Sequence, residues 1–90
     1  MQTEAKERAV EATEAPSERP RTSLDVRTLG PPKPLTRTLE TLAELDGETV
    51  LVQINDREPK HLFPKLADRG YEYATLSEDD AVLTAIWQRE

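Results

Sequence analysis

The residues best suited to chemistry fall in one short run, Asn55-Asp56-Arg57-Glu58, followed by His61. Asp56 and Glu58 supply carboxylates for an acid, a base or a hard cation, and His61 is the single histidine of the chain. For each purpose the set is thin. A hard cation such as calcium asks for about six to eight oxygen ligands, and one imidazole with no serine placed beside it makes no triad. Asn and Asp also bond their own backbone in turns, which accounts for Asn55 and Asp56 without any ligand. The run nevertheless sits where a strand is expected to end, and in open α/β sheets ligands bind outside the carboxyl ends of strands. Asn55, Asp56, Arg57 and Glu58 are therefore leading contact residues, while His61 reads as a partly exposed helix residue.

A second word, Leu24 to Leu35, reads L-D-V-R-T-L-G-P-P-K-P-L. Leu24, Asp25 and Val26 suit a strand, and Gly30, Pro31, Pro32 and Pro34 mark a turn into a helix. Proline costs little in a first helical turn because its missing N–H would have no intrahelical partner there. The same lack removes donors that would cradle an anion, so the helix start is poorly built for phosphate. Arg27 and Lys33 beside this rigid, partly apolar corner suit a docking surface for a protein partner.

Composition narrows the remaining classes. With no cysteine there is no disulfide, no thiolate zinc site and no thiol nucleophile. A 90-residue chain with 36% hydrophobic residues and four aromatics has room for one small core. A net charge of −6 repels phosphate backbones and anionic lipid, and no basic cluster offsets it, so neither nucleic acid nor a membrane is an expected partner. No apolar run approaches the ~20 residues that span a bilayer, and the charged start is unlike a signal peptide, which leaves a cytoplasmic protein as the expectation. No cofactor or metal is expected.

These residues must be positioned by elements that the hydrophobic pattern predicts. Residues 1–22 are rich in Ala, Glu, Arg and Thr, with Val10 the only aliphatic residue larger than alanine after Met1. They read as a disordered charged tail with a transient helix over Thr3 to Ala15 before Pro16. A folded domain is expected over 23–90. Its first strand covers Leu24 to Thr28 and its first helix Pro32 to Leu45, where Leu35, Leu39 and Leu42 share a face. Gly47 is expected to end that helix in a left-handed conformation. The second strand spans Glu48 to Asn55, an irregular turn Lys60 to Phe63, and a second helix Pro64 to Arg69, closed by Gly70. Tyr71 to Leu76 and Ala81 to Arg89 are the last strands, joined by a polar turn over Ser77 to Asp80. Phe63, Tyr71, Tyr73 and Trp87 read as core and sheet-face packing. The order βαβαββ implies an α+β fold, a two-layer α/β sandwich with two helices on one face of a four-stranded mixed sheet. Oligomeric state does not follow.

The Leu24 to Leu35 word resembles the Cys-Pro-x-Pro signature of the TusA/SirA family of small sulfur carriers, in which a strand L-D-x-x-G-L leads to a reactive Cys at the start of the first helix. Pro31 stands at that position here. The likeness is closer to domain-of-unknown-function relatives of TusA that lack the cysteine. Those relatives read L-D-V-R and P-P-x-P, then N-D-x-x-P after the second strand, then R-G-Y-x-Y. The matching words are Leu24 to Arg27, Pro31 to Pro34, Asn55 to Pro59 and Arg69 to Tyr73. Relatives often carry a His in the N-D-x-x-P turn where this chain has Arg57, which removes that residue from any metal role.

The resemblance implies the TusA-like fold without its sulfur chemistry. The function expected is a non-enzymatic binding or adaptor module with a protein partner, its contact surface formed by Arg27, Lys33, Asn55, Asp56, Arg57 and Glu58, with an association with sulfur, metal or respiratory redox metabolism implied by the family. One alternative is an enzyme, or a metal- or small-molecule-handling protein, that acts through a non-thiol site in the Asn55 to Glu58 loop. Another is RNA binding, suggested by a fold shared in outline with the C-terminal domain of a translation initiation factor and opposed by the acidic charge.

Overall fold

The structure is a computed structural model and describes residues 4–89. Along the chain run α1 (Ala5–Ala12), β1 (Arg21–Asp25), α2 (Lys33–Glu44), β2 (Val50–Asn55), α3 (Leu62–Asp68), β3 (Tyr71–Ser77) and β4 (Val82–Gln88). The strands form one mixed sheet in the order β1-β2-β4-β3. β1 lies parallel to β2, with Leu24 beside Gln53. β4 runs antiparallel to both β2 and β3, with Thr84 beside Gln53 and Ile86 beside Tyr73. After α1 the order is βαβαββ, as the hydrophobic pattern predicts.

Side chains alternate across a strand, so β2 and β4 each present two faces. Both faces are apolar. Leu51 and Ile86 point to the side covered by Leu42 of α2 and by Leu62 and Leu66 of α3, with Leu24, Leu35 and Leu39 packed at the margin. Val50, Val52, Leu83, Ala85 and Trp87 point the other way, where Ala9, Val10 and Ala15 cover them. Two helices share one face, as expected, and a third element closes the opposite face.

That third element corrects the expectation for residues 1–22, of which residues 1–3 lie outside the described residues. Ala9 and Val10 are fully buried rather than solvated. Their small side chains bring the α1 backbone close to the sheet, and the apolar area covered belongs largely to the strands, so composition of the segment alone understates what it buries. Arg8 fixes the helix from the side. Its guanidinium donates to both carboxylate oxygens of Glu78, at 2.7 and 2.9 Å.

The remaining differences are local. β1 lies about three residues before its expected place, because the ladder starts where the Val50 N–H reaches the Pro20 carbonyl. It ends after Val26 donates to Ile54, where the Arg27 N–H turns onto Asp25 Oδ1 at 3.0 Å. α2 begins at Lys33 with Pro34 in its first turn, after a cis Pro31–Pro32 bond. It is capped by Leu45, whose N–H donates to the Thr41 carbonyl, and Asp46 shapes the following turn, its Oδ1 accepting from the Glu48 N–H and the Thr49 hydroxyl. Gly47 is not left-handed. Gly70 is, with φ of 80°, and it ends α3 as expected. α3 starts two residues earlier than expected because Pro64, at its third position, needs no intrahelical donor there. Trp87 is buried, whereas Tyr73 stacks on Phe63 with ring centres 4.5 Å apart and keeps 38% of its surface exposed.

Two outcomes follow for α1. Val10→Ala removes two methyl groups from a closed cluster and is expected to lower unfolding free energy by about 2 kcal/mol in urea titration, with Trp87 emission shifting to the red. Acid should act through Glu78, whose carboxyl is held below its ordinary value of 4.5 chiefly by the hydrogen bonds from Arg8. A folded value below the unfolded one means the contribution is full above the unfolded value and is lost as pH falls through the folded one. The Trp87 acid transition of Glu78→Gln is therefore expected to lack the wild-type loss of stability in that window, and identical acid limbs would refute the assignment.

Candidate functional site

Both β-to-α connections leave the sheet at the same end, so the start of α2 and the loop before α3 are neighbours. Between them lies a cleft of about 560 Å³. Leu29, Pro31, Pro34 and Leu35 form one wall and Pro59 and Leu62 the other. Gln53 and Asn55 form the polar part of its lining, and Asp56, Arg57, Glu58, Lys60 and His61 rim it.

The floor is a chain of side-chain hydrogen bonds. Asn55 Nδ2 donates to Gln53 Oε1 at 3.3 Å, and Gln53 Nε2 donates to Thr38 Oγ1 at 2.8 Å. The Thr38 hydroxyl donates onward to the Pro34 carbonyl at 2.7 Å. Asn55 Oδ1 accepts from the backbone of Asp56 at 2.8 Å and Arg57 at 3.4 Å, which shapes the loop. Gln53 and Thr38 have no exposed surface and Asn55 is nearly as buried. A primary amide carries two N–H donors, so the Asn55 group, which spends one on Gln53, keeps a second beside the cleft. The proline wall and the acidic loop are thus tied through one polar relay under the cleft.

The four loop residues picked out by sequence, Asn55 to Glu58, all line this cleft. Asp56 and Arg57 pair with each other at 3.3 Å on the exposed side. Arg27 lies elsewhere, clasped on Asp25 through Nε and Nη2 at 2.7 to 3.2 Å. That clasp holds the Asp25 carboxyl below its usual range, first by the side-chain hydrogen bond and then by the Arg27 backbone N–H. Lys33 lines a second depression, between β1 and α2, with Leu24, Asp25 and Glu40. Sequence reasoning placed these six residues on one surface; the fold gathers four. It also missed Thr38 and Gln53. The available signal was a polar residue within each apolar stripe, Gln53 among Leu51, Val52 and Ile54, and Thr38 one turn before Leu42. Among the described residues no group of three or more His, Cys, Asp or Glu side chains comes together to hold a metal, and no helix is long and apolar enough to cross a membrane.

The profile of a family described as an uncharacterized conserved protein, DUF2249, matches residues 23–88, which include every residue around the cleft. The chain belongs to the DUF2249 family. No curated protein and no solved structure matches it. The DUF2249 match runs from the middle of β1 to the end of β4, and α1 lies before it. The cleft of this chain therefore lies wholly within the matched residues, whereas the cover of the opposite face is supplied by the segment before them.

Thr38→Val deprives the Gln53 amide of its acceptor and is expected to cost about 1–3 kcal/mol. Combined with Gln53→Leu it should cost less than the sum of the two single changes, since both remove one hydrogen bond. Strict additivity in chemical denaturation would show that the relay is not energetically coupled.

Proposed function

We propose that this DUF2249 protein is a non-enzymatic binding or adaptor module of the cytoplasm that receives a protein partner in the cleft between the proline corner and the Asn55 to Glu58 loop. One observation carries the reading. Two separate segments form facing walls of a single cleft, apolar on its sides, with the Asn55 amide at its floor and charged side chains at its rim. Such a lining suits a polypeptide, because proline and leucine walls take apolar side chains while the Asn55 amide and the polar rim bond main-chain N–H and C=O groups.

The order of elements and the proline-bearing start of α2 support a distant relation to the TusA sulfur carriers. On that relation Pro31 occupies the carriers' cysteine position, and it lines the cleft. A scaffold kept with its nucleophile replaced suits recognition rather than sulfur transfer. A place alongside sulfur, metal or respiratory redox metabolism belongs to the same reading.

The volume of the cleft also falls within the ~300–1,000 Å³ of small-molecule sites, which favours a ligand-handling role as the second reading. Capture from native lysate separates the two. The full chain is expected to retain a protein reproducibly, and the rim variant Asp56→Ala/Glu58→Ala to lose it while its circular dichroism is unchanged. A partner held equally by both proteins would place the contact elsewhere. Recovery of a small molecule, identified by mass spectrometry and lost in the same variant, would favour the second reading over the first.

A further inference from the structure

The two edges of the sheet are not equivalent. β1 is five residues long, follows Pro20, and is crowded by charge: Arg21 reaches Glu7 and the Ser17 carbonyl, and Asp25 is clasped by Arg27. These are devices that discourage strand addition. β3 is seven residues long and contains no proline. Its pairing with β4 is fixed at both ends, since Arg89 donates to Gly70 and Glu78 to Ala81. Antiparallel hydrogen-bonded pairs recur at every second residue. Glu72, Ala74 and Leu76 therefore bond β4, and the N–H and C=O groups of Tyr71, Tyr73, Thr75 and Ser77 face outward. Among the described residues no backbone–backbone hydrogen bond outside the sheet reaches those four.

We propose that β3 is a self-association edge, on which the β3 strand of a second copy of this chain pairs antiparallel about a two-fold axis at Ala74. The outward set is its own complement in that register: Tyr71 pairs with Ser77 of the second copy and Tyr73 with Thr75, and each pair recurs by symmetry. Ala74 meets Ala74 at the axis, where small side chains let the strands approach. The charges along the edge choose this orientation. Lys65 and Arg69 outnumber Asp68 before β3, and Glu78, Asp79 and Asp80 follow it. Antiparallel pairing lays each basic start beside the other copy's acidic end and sets Arg69 opposite Asp79, whereas parallel pairing would set acid against acid. Tyr73, the exposed large hydrophobic residue of the chain among those described, lies next to the axis and is covered in the pair. Two chains of charge −6 repel at long range, so the association is concentration-dependent rather than permanent. The surface is separate from the cleft and does not rest on the proposed partner binding.

Sedimentation of the full chain over a concentration series is expected to show a reversible monomer–dimer equilibrium. Hydrogen exchange should slow with concentration at the amides of Tyr73 and Thr75 but not at Glu72 and Ala74, which already bond β4. Thr75→Pro removes an outward donor without touching the β4 ladder and should abolish the dimer. Arg69→Glu and Asp79→Arg should each weaken it about tenfold, because symmetry places every substitution at two contacts, and the double exchange should restore it. The charge variants decide the question if Thr75→Pro does not fold. A chain that stays monomeric throughout, or a dimer indifferent to Arg69→Glu and Asp79→Arg, overturns the inference.

Discussion

The central strands of this small sheet are apolar on both faces, and most of the architecture answers that constraint. Val50, Leu51 and Val52 are all fully buried, as are Leu83, Ala85 and Ile86. A strand of that kind cannot lie at a water-facing surface, because each exposed face would leave large aliphatic groups in solvent. The two crossover helices can shield only one side, since both connections pass over the same face. The other side needs cover from outside the βαβαββ unit. In this chain the cover is a helix placed before β1, held by small residues in the middle and by the Arg8–Glu78 pair at its flank. A thin domain of roughly this size buries only about 60% of its unfolded surface, so a short helix that closes a whole face carries more weight than its length suggests.

The same alternation decides where polar groups enter the core. On the α2 and α3 side, Gln53 and Thr84 sit opposite one another on the central strands, and both are fully buried. Gln53 is satisfied through Thr38 and Asn55. The Thr84 hydroxyl has no partner among the described residues. A leucine at position 53 would be the simpler choice for stability, because burying an amide is favourable only when its bonds are made. What the amide adds is direction: it fixes α2 against the loop after β2, and so sets the width of the cleft.

Much of this was legible in the sequence because strong periodic signals coincide with regular elements. The β-branched and apolar stretches Val50 to Ile54 and Leu83 to Trp87 each specify a strand, and the Leu35, Leu39 and Leu42 stripe specifies a helix and its face. The loop from Asn55 to Glu58 was legible as a turn for the same chemical reason that it now lines a cleft: short polar side chains bond the local backbone and leave charged neighbours outside. α1 was not legible from its own residues, since alanine contributes helix propensity without a clear hydrophobic signal. The missing signal lay in the strands. Val50-Leu51-Val52 and Ala85-Ile86-Trp87 are runs rather than strict alternations, and a run calls for cover on both sides. Nor could spacing in sequence separate Arg27 and Lys33 from the cleft, because the side of α2 on which each lies depends on where the turn through Gly30, Pro31 and Pro32 delivers the chain.

The position of the cleft follows from topology more than from any one residue. β1 and β2 are parallel neighbours, so the chain leaves both at the same end, and each exit must turn sharply to lay a helix back over the sheet. Two adjacent exits leave a gap whose width depends on how each turn is made. At the first exit three prolines fix the backbone and withhold N–H groups, giving a stiff apolar wall. At the second, Asn55 bonds the following two N–H groups and gives a compact polar wall. A thiol at the helix start would turn the same gap into a reaction site. With proline there, the gap keeps its geometry without a thiol, and the corner contributes a stiff apolar wall facing the polar loop.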